Sequence, residues 1–173
     1  MKKILLMVVA CVALAQFANA QNEDGGKFTL AGGLQYSTHT SDLLELNNTN
    51  LNVAGYYWLN SNWGVGLDLG FGTVEDAYTT YKAYASAIFL TPLSSNGIFN
   101  FYTTAGLGIN GFNPEVGSDE TNFGLAIIPG FQVELGKGWA LNFNMGGITY
   151  DGASERFSLG FGQNAGAGIQ YTF

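Results

Sequence analysis

Cysteine, proline, histidine and charge are all scarce in this chain. Its 173 residues hold one cysteine (Cys11), one histidine (His39) and three prolines, and only 11% are Asp, Glu, Lys or Arg. Cys11 sits in an apolar run at the very start, so no disulfide staples the rest of the chain. Beyond that opening run there is no apolar stretch of 18 or more residues, which excludes a transmembrane helix. Basic residues are fewer than acidic ones, 6 against 13, for a net charge of −7. Phosphate binding needs basic patches, so nucleic acid is excluded as a partner. Glycine, by contrast, is plentiful at 25 residues.

The N-terminus has the layout of an export signal. Met1-Lys2-Lys3 is a basic start, Ile4 to Ala15 is apolar, and Ala18-Asn19-Ala20 offers a small-x-small cleavage site. Residues 1–20 are therefore expected to be removed, leaving 21–173 as one domain. The apolar run is too short to anchor the chain as a helix. Val8-Val9-Ala10-Cys11 also satisfies a loose lipoprotein box, but the residues after Cys11 stay apolar instead of becoming a polar tether. Loss of Lys2 and Lys3 leaves 4 bases against 13 acids, a net charge of −9.

What fills the remaining chain is alternation. From Phe157 to Phe173, the residues Phe157, Leu159, Phe161, Ala165, Ala167, Ile169, Tyr171 and Phe173 fall on one side, with Ser, Gly, Asn, Gln and Thr on the other. Successive side chains of a strand point to opposite faces, so this is a long ribbon with one apolar face. Seven similar segments precede it, at about 27–37, 49–59, 63–73, 79–91, 98–110, 122–135 and 139–150. The third is the cleanest, with Trp63, Val65, Leu67, Leu69 and Phe71 against Gly64, Gly66, Asp68, Gly70 and Gly72. Pro129 cannot donate to a ladder, so the sixth is expected to carry a bulge there. Strand seven is expected to place Trp139, Leu141, Phe143 and Met145 on its apolar side.

Connections 60–62, 92–97 and 136–138 are short. Those at 39–48, 75–76, 111–121 and 151–156 are mostly longer, and they carry most of the acids. Trp58, Trp63 and Trp139 flank short turns and read as an aromatic girdle. The expected fold is all-β, an eight-stranded antiparallel up-and-down transmembrane barrel. Charge decides which face meets lipid. A water-exposed surface carries about 25–35% charged residues, and the polar faces of all eight strands offer little beyond Asp68, Lys82 and Glu134. That face makes a poor soluble exterior but a serviceable lining for a narrow barrel. Closure also satisfies every backbone group in lipid.

The chain resembles the small eight-stranded outer-membrane proteins of the OmpX and OmpA transmembrane-domain type. The signal-like start, the strand rhythm of Leu59-Asn60-Ser61-Asn62-Trp63-Gly64-Val65-Gly66-Leu67 and the aromatic-x-aromatic ending carry the resemblance. It implies the outer membrane of a Gram-negative bacterium, with lipid and lipopolysaccharide as surroundings. It also implies a monomer, and an assembly signal read by the barrel-assembly machinery at Gly168, Tyr171 and Phe173. Asp68, Lys82 and Glu134 are expected to form a charge network in the lumen, Asp68 and Lys82 being placed to pair. Such proteins include lipid A deacylases with a His-x-Ser element, so His39-Thr40-Ser41 with Asp42 or Glu45 marks an enzyme alternative. The matching palmitoyltransferase element needs Ser after Asp, and here Asp76 is followed by Ala77. A histidine in a loop has no guaranteed partner geometry, so no catalytic residue is assigned. The acids Asp42, Glu45, Glu75, Asp76, Glu115, Asp119, Glu120, Asp151 and Glu155 follow no calcium-loop spacing, and neither metal nor cofactor is expected. A non-enzymatic barrel presenting acidic surface loops to a partner is the leading reading. A lipid A-modifying enzyme and a narrow pore or carrier are the alternatives.

Overall fold

A computed structural model describes residues 26–41, 44–74, 77–114, 117–152 and 155–173. The expected signal segment 1–20, Cys11 included, lies outside them, as do Asp42, Glu75, Asp76 and Glu115. Eight strands run in order: β1 (Phe28–Ser41), β2 (Leu44–Trp58), β3 (Trp63–Val74), β4 (Tyr78–Pro92), β5 (Phe99–Pro114), β6 (Glu120–Gly136), β7 (Trp139–Asp151) and β8 (Arg156–Thr172). Each pairs antiparallel with its neighbours, and β8 returns to β1 to close the barrel.

Alternation places the apolar faces outside. Leu67, Ile109 and Ile127 are each nearly half exposed, whereas Tyr56, Ser86, Tyr102 and Gln132 on the opposite parity are buried within. An exterior of Leu, Ile, Val and Phe around a polar interior is the polarity that hydrocarbon demands. Lipid is outside.

The three short turns are built as their sequences suggest. Asn60 accepts hydrogen bonds from the backbone N–H of Asn62 and Trp63 at 2.9 and 2.8 Å. Lys137 and Gly138 both take positive φ, 54° and 82°, which suits a two-residue hairpin turn. The opposite end differs from expectation. Residues 39–48 are strand on both sides of a two-residue connection, with His39 opposite Leu46 in the ladder. The segment 111–121 is likewise strand at both ends, up to Pro114 and from Glu120. A transmembrane strand needs about 9–11 residues, so the 16 residues of β5 and the 17 of β6 and β8 run past the hydrocarbon. Above the membrane the ladder needs no apolar face. The polar runs mark the water boundary instead of the strand ends.

The irregularity expected at Pro129 is present, and its extra residue belongs to the partner strand. Ile127 pairs with Ile148 and Gly130 with Asn144, so Met145, Gly146 and Gly147 of β7 stand against Ile128 and Pro129. Gly146 takes φ of 84° inside this bulge. Phe143 points outward before it and Ile148 after it, each 43% exposed. The shift moves the lipid-facing positions of β7 from odd to even numbers, so the unbroken alternation expected through Met145 does not hold. On the other side of β7, residues 162–165 of β8 stand opposite Met145 alone.

Candidate functional site

Inward-facing residues leave a cavity of about 830 Å³ along the barrel axis. At the short-turn end it is floored by packed side chains. Tyr56, Ile88 and Tyr102 form a buried cluster joined by Ala54, Trp58 and Leu90, beside the fully buried Thr29 and Ala140. At the hairpin end its lining reaches Phe112, Glu120, Asp151 and Ser158. The lumen is thus a cup, closed on the side of the chain termini.

Asp68 and Lys82 both line this cup. Their strands are adjacent, but register sets Asp68 opposite Tyr84 and Lys82 opposite Gly70. Asp68 takes its hydrogen bond from Tyr56, whose hydroxyl donates to Oδ1 at 2.5 Å. The methylene stem of Lys82 lies across Gly70, where a Cβ would collide with it, and its ammonium remains within electrostatic reach of Asp68. Glu134 does not line the cavity. It sits near the β6–β7 turn and accepts a hydrogen bond from Nε2 of Gln132. The three strand-embedded charges are therefore divided, two in the cup and one beneath it.

The floor is amide-rich. Asn142 Nδ2 donates to Gln170 Oε1 at 2.8 Å, and Tyr84 donates to Asn110 Oδ1 at 2.6 Å higher up. Three acceptors, Gln132 Oε1, Asn142 Oδ1 and Asn144 Oδ1, are buried with no protein partner among the described residues. Reading charges alone missed these amides and tyrosines. Their signal was parity, since each occupies an inward position of an alternating strand.

Of the tryptophans, Trp63 and Trp139 face outward at 48% and 45% exposure. They pack beside Phe89 and Tyr171, with ring centroids 4.6 and 4.8 Å apart. Trp58 departs from the expected girdle. It has the inward parity of β2, donates from Nε1 to Thr29 Oγ1 at 2.7 Å and packs on the internal cluster. Proximity to a turn placed it at the right height, but strand parity sent it inside. At the closing seam Tyr171 meets Phe173 edge-on at 4.8 Å, and Phe173 lies 6.4 Å from Phe28. Gly168 pairs with Gly33, where a Cβ would stand 2.7 Å from the Gly32 carbonyl oxygen. His39 is a β1 residue in backbone register with Leu46.

With this geometry in view, residues 4–173 match the outer membrane protein beta-barrel domain family. The chain belongs to that family. None of the curated proteins matches it in sequence. Among solved structures it is similar to neisserial surface protein A, NspA, at 20% identity and a TM-score of 0.64, covering 86% of this chain and 98% of that one. It is also similar to OprG from Pseudomonas aeruginosa, at 16% identity and a TM-score of 0.53, with 86% and 96% covered. Ail of Yersinia pestis in a phospholipid nanodisc follows at 16% identity and a TM-score of 0.50, with 86% and 99% covered. These likenesses concern the fold, and family membership places the protein in the outer membrane.

Proposed function

We propose that this outer-membrane barrel is a non-enzymatic display scaffold whose acidic hairpin ends meet a basic partner at the cell surface. The observation that carries the reading is the segregation of charge along the axis. Asp119, Glu120, Asp151 and Glu155 lie at the hairpin end, as does the backbone of Glu45, with Arg156 as the one base there among the described residues; Asp42, Glu75, Asp76 and Glu115 belong to the same connections in sequence. Lys27 and Lys137 lie at the opposite end, where Glu134 is the one acid among the described residues. A surface of one sign steers an oppositely charged partner and gives salt-sensitive association. Asp68 and Lys82 brace the lumen in this reading, and the ending with Gly168, Tyr171 and Phe173 serves assembly. The barrel works as a monomer, with lipid and lipopolysaccharide as its surroundings.

The test uses the barrel in vesicles, presented to polylysine-coated and heparin-coated beads. Adhesion to polylysine that weakens with salt, and that falls in a variant carrying Asp119→Asn, Glu120→Gln, Asp151→Asn and Glu155→Gln, is expected. Equal adhesion of variant and parent would sink the proposal. The non-enzymatic half is tested separately by lipid A mass spectrometry on cells making the protein or its His39→Ala variant. Unchanged acyl chains in both are expected, and a change abolished by the substitution would make the protein an enzyme.

A further inference from the structure

Two opposite charges face the same cup without completing one another. Asp68 of β3 takes one hydrogen bond, from the Tyr56 hydroxyl to its Oδ1. A carboxylate has acceptor sites for about four, spread over both oxygens. Lys82 of β4 carries only donors on its ammonium, and among the described residues no hydrogen bond or ion pair uses them. It lies within electrostatic reach of Asp68 all the same. The polar side-chain atoms sealed off without a partner belong, among the described residues, to Gln132, Asn142 and Asn144. The second oxygen of Asp68 and the ammonium of Lys82 are not of that kind, and both residues line the cup. An acceptor and a set of donors stand open to a solute, side by side.

Local packing keeps the two charges apart. Asp68 stands opposite Tyr84 and Lys82 opposite Gly70, so they are diagonal neighbours on adjacent strands. The Lys82 stem lies over Gly70, and Asn52 approaches the same glycine from β2, its Oδ1 being 2.9 Å from where a Cβ would stand. One step towards the hairpin end, Asn50 and Thr80 converge in the same way over Gly72. The wall is thus a shelf. Its foot holds the charged pair, and the storey above holds neutral amide and hydroxyl groups.

The pair selects its solute. A lone anion at Lys82 would stand beside Asp68, with Glu120 and Asp151 also lining the cup towards its mouth. A lone cation at Asp68 would stand against Lys82 and leave that ammonium unanswered. A molecule bearing both charges meets each with its opposite, and charges away from water are costly until they are met. The cup, at about 830 Å³, has room for such a molecule and its side chain. Because it opens at the hairpin end, the solute arrives from water and not from lipid. We propose that the lumen binds a free α-amino acid, with its carboxylate on Lys82, its ammonium on Asp68 and a neutral side chain rising past Asn50 and Thr80.

The barrel in phosphatidylcholine nanodiscs, titrated calorimetrically with L-glutamine and with two analogues that each lack one charge, tests this. Glutaramic acid keeps the carboxylate, and γ-aminobutyramide keeps the ammonium. Saturable binding of glutamine is expected, with both analogues at least about tenfold weaker. Lys82→Met and Asp68→Asn are each expected to weaken glutamine binding about tenfold. Lys82→Met should not weaken γ-aminobutyramide, nor Asp68→Asn glutaramic acid, which a merely distorted barrel would not reproduce. Heat-modifiable gel mobility reports whether each variant is folded, and if one fails the other and the analogues carry the comparison. Equal affinity for glutamine and either analogue would mean a site for a single charge. Glutamine binding untouched by both substitutions would place it away from the pair, and absence of binding would mean that water completes the pair. Each of these three results overturns the proposal.

Discussion

At the scale of single residues, the interior replaces an expected ion pair with a tyrosine–carboxylate contact. Asp68 is fixed by the Tyr56 hydroxyl, while Lys82 spans Gly70 with its stem. Register does not separate the two candidates, since Lys82 and Tyr56 each stand two residues from the position directly opposite Asp68. What distinguishes Tyr56 is the packed cluster that holds its ring. Removing the hydroxyl leaves a carboxylate inside the barrel short of a donor. Tyr56→Phe is expected to lower unfolding stability in urea by roughly 1–3 kcal/mol. Asp68→Asn in the Tyr56→Phe background should recover part of that loss, giving a coupling of about 0.5–3 kcal/mol in a double-mutant cycle. Strict additivity of the two substitutions would show that the contact carries no stability of its own.

At the scale of elements, existence and facing were legible while ends and defects were not. Alternation of Trp63, Val65, Leu67, Leu69 and Phe71 against glycines and Asp68 is enough to orient β3, because one register slip would turn every apolar side chain inward. Strand ends were hidden because a ladder in water loses its apolar face but not its hydrogen bonds, as at Thr38–Thr40 of β1. Pro129 announced a defect, but the residue that absorbs it is Gly146 on β7, two residues beyond Asn144, the ladder partner of Gly130. The lumen charges were visible as residue types, and their separate partners were not, since diagonal offsets depend on register. The left-handed φ of Gly146 makes its own prediction. Gly146→Ala should destabilise the barrel by about 1–2 kcal/mol, read as a lower urea midpoint. No change there would mean that the bulge relaxes without cost. The last strand is testable in the same way. Phe173 touches Phe28 and Tyr171, contacts worth about 0.5–1.5 kcal/mol each. Phe173→Ser is expected to reduce assembled barrel in cells several-fold while purified protein still refolds into vesicles. Equal losses in both settings would make Phe173 a packing residue and nothing more.

At the scale of the whole molecule, the inverted polarity of the barrel follows from where charge is absent, and the three tryptophans report it directly. Trp63 and Trp139 look outward beside Phe89 and Tyr171, at the level where aromatic rings favour the membrane boundary. Trp58 is at a similar height but turned inward onto Thr29. Three single-tryptophan variants, with the other two positions changed to Phe, separate height from facing. In vesicles of lipid brominated on its acyl chains, fluorescence from Trp63 and Trp139 should be strongly quenched and that from Trp58 largely spared. Bromine quenches over a short range, so the barrel wall is a sufficient shield. An aqueous quencher added outside should reach Trp58 only weakly, because its ring packs against the cluster of Tyr56, Ile88 and Tyr102 that floors the lumen. Quenching of Trp58 by lipid to the same degree as the other two would place it on the outer wall and reverse the parity of β2. Because register ties β2 to both of its neighbours, that one result would turn the lumen residues of three strands towards lipid.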